Sequence, residues 1–175
     1  MALRDTDEYD MVADVWTAKT DKTTTASYGV GAAPANYGAY YVGGYSGSSY
    51  LADCDAFYHA MNAWIAGTAP GFSMADNSLT AMGKKLYVMG GSTTGPVTSA
   101  RCDEYDPSAA TWASKTAATL ARNGRGGKSG YNTQKFATGT SGSSKFDAIA
   151  NSWAAMAAVG YTGGTDVDEM GSASV

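Results

Sequence analysis

A pair of aromatic side chains recurs four times and constrains the fold more than any other feature. Tyr9 and Trp16, Phe57 and Trp64, Tyr105 and Trp112, and Phe146 and Trp153 each place a tryptophan seven positions after a tyrosine or phenylalanine. The chain has four tryptophans, and all of them fall in this slot. They stand 48, 48 and 41 residues apart. A spacing of this size marks an internal repeat, in which each unit buries its apolar face only by stacking on its neighbours. Strand side chains alternate between faces, so seven residues spanning a turn can bring both rings into the layer between two sheets. Each ring buries roughly 150–250 Å² there.

A second landmark moves with the first. Leu86-Tyr87-Val88-Met89 closes on Gly90-Gly91, and Tyr40-Tyr41-Val42 closes on Gly43-Gly44. Lys135 to Thr140 stands in the same place after Trp112, with the second glycine lost. An apolar strand ending on Gly-Gly, then an aromatic-Asp pair, then Trp, with a period of about 50, resembles the kelch repeat. The resemblance runs from Asp5 to about Val159 and implies an all-β fold. That fold is a kelch-like β-propeller or propeller fragment of about four blades, each an antiparallel four-stranded sheet. Residues 1–161 form the array and 162–175 a Gly- and Asp-rich tail.

Read in order, strands are expected at 3–10 and 16–19, then at 26–32, 36–44, 49–58 and 63–66. A second set falls at 78–82, 86–89, 97–106 and 111–115. A degenerate third set falls at 126–131, 135–138, 144–147 and 152–156, with room for one more strand at 157–161. The first half-blade could accept that last strand and close a small ring. Two chains could instead share a larger ring, or the array could stay open and pair with neighbouring subunits. An edge left open in water invites aggregation, so the ends are expected to be engaged.

Composition narrows the partners. The net charge of −4 and pI of about 4.8 argue against nucleic acid, which calls for a basic face. Only 16% of residues are charged, against about 25% in ordinary soluble domains. Such a surface suits a protein packed against others, because charge keeps molecules apart. No run reaches the roughly 18 apolar residues of a membrane span. The start, Met1-Ala2-Leu3-Arg4-Asp5, has no apolar leader, so synthesis in a reducing cytoplasm is expected. Cys54 and Cys102 occupy one repeat position, where the other copies have Thr6 and Ser143. Equivalent positions on neighbouring blades lie too far apart to bridge, so both read as buried free thiols.

No reactive constellation emerges. His59 is the one histidine and ends a strand, which suits a turn position. The copper-radical oxidases among kelch-like propellers use two histidines with tyrosines, so this chain lacks their ligand set. Gly126-Gly127-Lys128-Ser129 resembles the end of a phosphate loop, but Arg122 stands where the motif needs glycine. Arg122, Arg125 and Lys128 form the one cationic cluster, a loop that could meet an acidic group. The acidic runs around Asp7 and Asp168 lack calcium-loop spacing. Asp7, Asp55 and Asp103 recur at one repeat position, which points to hydrogen bonding at strand ends. Seven of the 12 tyrosines fall in the stretch from Tyr28 to Tyr58, and exposed ones such as Tyr45 and Tyr50 would make a contact surface for protein or sugar.

The expected function is therefore non-enzymatic: a structural propeller binding other protein subunits, with no cofactor, metal, nucleic acid or membrane. A virion component such as a phage capsid or tail decoration fits these features, assembled in the cytoplasm and carried outside in the particle. A carbohydrate- or peptide-binding adhesion module is the alternative. An oxidase- or sialidase-like enzyme stands third.

Overall fold

The computed structural model describes residues 4–34, 36–93, 99–118, 134–139 and 142–156. Among them, thirteen strands form four antiparallel sheets, with one short 3-10 turn at His59–Met61 and no α-helix. The first sheet pairs β1 (Asp7–Asp10) with β2 (Val15–Ala18). The second orders β3 (Val30–Ala32), β4 (Ala39–Val42), β5 (Cys54–Tyr58) and β6 (Ala63–Ala66). The third orders β7 (Ser78–Met82), β8 (Lys85–Met89), β9 (Cys102–Asp106) and β10 (Thr111–Ser114). The fourth holds β11 (Gln134–Gly139), β12 (Gly142–Asp147) and β13 (Ser152–Met156). In each sheet the strands follow one another as a meander. The expected strands at 126–131 and 157–161, and the tail at 162–175, lie outside the described residues.

The seven-residue spacing is a hairpin register. Tyr9 lies directly opposite Trp16, Phe57 opposite Trp64, Tyr105 opposite Trp112 and Phe146 opposite Trp153. Their ring centroids are 5.0, 5.4, 4.9 and 5.2 Å apart, the separation of favourable aromatic pairs. A four-residue turn joins each pair of strands. Asp10, Asp106 and Asp147 open three of these turns, each accepting two backbone N–H groups through Oδ1. Such Asx turns hold the loop without help from the sheet. Tyr58 replaces the aspartate in the second sheet, and that turn winds into the 3-10 segment instead.

Each turn closes on a left-handed residue: Asp14, Asn62, Ala110 or Asn151. Asx side chains tolerate this conformation, whereas alanine pays roughly 1–2 kcal/mol. The exception has a compensation. Asn62 Oδ1 accepts the Thr20 N–H at 3.0 Å, and Asn151 Oδ1 accepts the Thr116 N–H at 2.9 Å. At the middle junction, where Ala110 offers no acceptor, the Tyr105 hydroxyl hydrogen-bonds Thr68 through its backbone and side chain. Phe57 and Phe146, at the equivalent of Tyr105, have no hydroxyl. Tyr105→Phe is therefore expected to cost about 1–2 kcal/mol, and adding Ala110→Asn to restore it. Urea midpoints check this; a double variant no more stable than Tyr105→Phe would refute the exchange.

The tryptophans also join the sheets. Trp64 Nε1–H donates to the Thr20 carbonyl at 3.0 Å, Trp112 to the Thr68 carbonyl at 2.7 Å and Trp153 to the Thr116 carbonyl at 2.8 Å. Thr20, Thr68 and Thr116 each stand four residues after the preceding tryptophan. Each of these three indoles thus latches onto the segment leaving the sheet before it. Apolar packing follows the same order. Val42, Cys54, Met74, Leu79, Leu86, Val88 and Tyr105 form a core between the second and third sheets. Met82, Tyr87, Met89, Cys102 and Phe146 form another between the third and fourth.

The Gly-Gly exits serve two purposes. Gly43, Gly44, Gly90 and Gly91 all have positive φ, which turns the chain out of β4 and β8. They also let the linking segment pass: a Cβ on Gly43 would lie 2.5 Å from the Met74 carbonyl oxygen, and one on Gly91 2.7 Å from that of Ala75. Because the glycines break the ladder, the expected strands at 36–44 and 49–58 shorten to β4 and β5. Between those strands, Tyr45 and Tyr50 make an isolated bridge. Strand 26–32 likewise contracts at its N-terminal end, and the described parts of 3–10 and 97–106 form β1 from Asp7 and β9 from Cys102.

Candidate functional site

The structure treats the candidate residues differently. Tyr45 and Tyr50 are half-buried and pack on each other, ring centroids 5.4 Å apart. Tyr40 is buried, Tyr37 and Tyr41 are half-buried, and Tyr28 is the exposed ring of that region at 58%. The tyrosine-rich segment is mostly packing rather than an open platform. Arg122, Arg125 and Lys128 lie outside the described residues, as does the acidic run around Asp168. His59 stands on the 3-10 turn with its side chain 72% exposed, its Nδ1 2.5 Å from Glu8 Oε2.

Three charged clusters each centre on a buried charged residue, Lys22, Asp103 or Glu104; the recurring Asp55 and Asp103 take part in two of them, and the third had no local sequence signal. The Lys22 ammonium lies 3.0 Å from Asp53 and 2.7 Å from Asp55, 5.1 Å over the Tyr41 ring. Burial would lower its pKa, but the two carboxylates outweigh that and raise it. Glu104 accepts from the Tyr87 hydroxyl at 2.5 Å and sits 2.8 Å from Lys85 and 3.1 Å from Lys115. Arg101 grips Asp103 through Nε and Nη2 at 3.0 and 2.9 Å while its guanidinium stacks 3.7 Å over Phe72. Asp55 and Asp103 thus anchor basic side chains at equivalent positions. Each cluster satisfies itself, and none leaves a carboxylate facing a cleft as a general acid or base would need. Among the described residues no group of three His, Cys, Asp or Glu side chains could hold a metal.

Cys54 and Cys102 are both buried and neither is joined in a disulfide. Burial, with the nearby Asp55 charge, pushes the Cys54 thiol up to about 12. A thiol in that state is a poor nucleophile. Ellman's reagent at pH 8 is expected to leave Cys54 untouched in the folded protein and to titrate it in guanidinium; native labelling would contradict the burial.

No protein-family model and no curated protein matches this chain. Function therefore rests on two surface features. The first is a groove of about 670 Å³ between the first two sheets, walled by Tyr37, Phe57, Tyr58 and Trp64 and edged by Glu8 and His59. The second is the apolar surface of the first hairpin, with the paired Tyr9 and Trp16 on one face of the sheet, Val15 on the other, and Met11 and Val12 in the turn. Tyr9 is 41% exposed, Val15 51%, Trp16 68%, Met11 85% and Val12 98%. The other three aromatic pairs are half-buried or buried, so this pair departs from the expected burial in a packing layer. No helix among the described residues is long and apolar enough to cross a membrane.

Proposed function

We propose that this chain is a non-enzymatic interaction module. It is a kelch-like array of propeller type whose role is to hold or present a surface within a larger assembly, such as a virion. One observation carries the reading. The aromatic face that joins sheet to sheet at three junctions is uncovered on the first sheet. Contiguous exposed apolar side chains of this kind mark protein contacts. Low charge and self-satisfied ionic clusters support the same reading. Light scattering behind a sizing column tests it: self-association, or solubility only with another component, supports the module. A clean 18.0 kDa monomer would count against it.

The groove favours a second reading, as a glycan-binding module. Aromatic walls stack on sugar faces, and Glu8 and His59 could bond hydroxyls at its edge. Saturable sugar binding by a monomer, lost in Tyr37→Ala, would favour it.

A further inference from the structure

We infer that the groove between the first two sheets binds an uncharged pyranose and rejects sugars that carry a carboxylate, a sulfate or an ammonium group. The inference rests on the second reading above, of a glycan-binding module, and names the sugar class and the residues that select it.

The groove is where the repeat departs from its own pattern. Tyr58 stands where the other three hairpins have Asp10, Asp106 and Asp147, and His59 where they have Met11, Pro107 and Ala148. Glu8 pairs with His59 across the first junction. The equivalent residues at the second junction are Ala56 and Pro107, which have no charge to pair. The groove there is about 350 Å³, against about 670 Å³ here. The exceptions to the repeat thus fall on one enlarged cleft, of the size that small ligands occupy.

The walls offer aromatic carbon. Trp64 Nε1–H is taken by Thr6 Oγ1 and the Thr20 carbonyl, both at 3.0 Å, and the Tyr58 hydroxyl bonds that of Tyr40. What these two side chains leave for a ligand is their rings. Tyr37 joins them because Gly38 lets its segment close on β5: a Cβ there would lie 2.5 Å from the Phe57 carbonyl oxygen. The C–H face of a pyranose sheds water against walls of this kind.

The edge sets the charge. Lys19 Nζ at 3.3 Å and His59 Nδ1 at 2.5 Å both reach Glu8 Oε2, which leaves Oε1 to accept. The carboxylate only accepts, so Nδ1 carries the ring hydrogen and Nε2 of the neutral imidazole accepts as well. Two acceptors at one edge match sugar hydroxyls and repel an anionic group. No described Lys or Arg lines the groove to offset that repulsion. An ammonium gains little there either, because Lys19 already balances the Glu8 charge.

A glycan microarray probed with the full chain tests the class. It carries neutral hexose and N-acetylhexosamine oligomers beside sialylated, uronic, sulfated and de-N-acetylated cationic ones, and its hits are titrated by calorimetry. The expected result is binding confined to the neutral members. Tyr37→Ala and Glu8→Ala should each raise Kd about tenfold or more. Trp16→Ala, which alters the opposite face of the first sheet, should leave Kd unchanged. Circular dichroism checks that each variant folds, and the charge selectivity of the wild type needs no variant. Acidic or cationic sugars bound as tightly as neutral ones would overturn the inference and leave the glycan reading standing. Neutral binding that survives both Tyr37→Ala and Glu8→Ala would overturn it too, because the site would lie elsewhere. If no member of any charge binds, the glycan reading fails and this inference fails with it.

Discussion

Trp112→Ala is expected to lower stability by about 3 kcal/mol, and Trp16→Ala by less than about 1 kcal/mol, although both residues hold the same place in the repeat. The difference follows from what each ring touches. Trp112 packs on Tyr105 at 4.9 Å and on Phe72 at 6.5 Å, and its indole donates to the Thr68 carbonyl at 2.7 Å. Alanine there opens a void between the second and third sheets and removes the donor from a carbonyl at their seam. Trp16 is 68% exposed, and its main contact is with Tyr9 on the paired strand. Urea unfolding followed by circular dichroism compares the two at concentrations too low for association. Equal losses would mean that Trp16 is buried in solution, by the chain's own end or by another copy.

Glu104→Ala is expected to cost about 3–5 kcal/mol, because it strands the partners of a buried carboxylate. Tyr87 is buried and donates to Glu104, while Lys115 reaches it from β10's end. Lys85→Ala should cost under about 1 kcal/mol, since that side chain is 41% exposed. The cluster also sets an acid limit. Burial alone would raise the Glu104 pKa, but Lys85, Tyr87 and Lys115 together bring it below its ordinary value. The folded state therefore favours the ionised carboxyl. Its contribution is complete above the unfolded pKa of about 4.3 and is lost as the pH falls through the lower, folded value. Wild type should lose stability steeply below about pH 4, and Glu104→Gln should flatten that slope. A variant with the same acid slope as wild type would place the linkage elsewhere.

The part of the fold that repeats was legible in the sequence. Trp16, Trp64, Trp112 and Trp153 located four hairpins, and 63–66, 78–82 and 152–156 coincide with β6, β7 and β13. Antiparallel pairing fixes an i to i+7 contact whatever surrounds it. The left-handed position could have been read too, since three of the four residues two before each tryptophan are Asp or Asn. The recurring Asp55 and Asp103 were read as hydrogen-bonding positions, but the partners of the buried ions were not legible. Lys22 and Asp53 are separated by 31 residues and Lys85 and Glu104 by 19, with no local pattern to join them. Lys22 even sits in a stretch, 20–25, that reads as an ordinary polar loop. The groove beside His59 was missed for the same reason, because Glu8 and Trp64 meet only when two sheets stack.

The indole latch reads a backbone carbonyl, and a carbonyl is present whatever the residue. That hydrogen bond therefore survives a change of the residue that accepts it, while the side-chain cores between the sheets still have to match. Cooperativity becomes local: each unit depends on the one before it, and stability grows almost linearly with the number of units. The shorter 41-residue spacing before Trp153 leaves the same indole-to-carbonyl bond in place, so the latch tolerates a change in the length of a repeat.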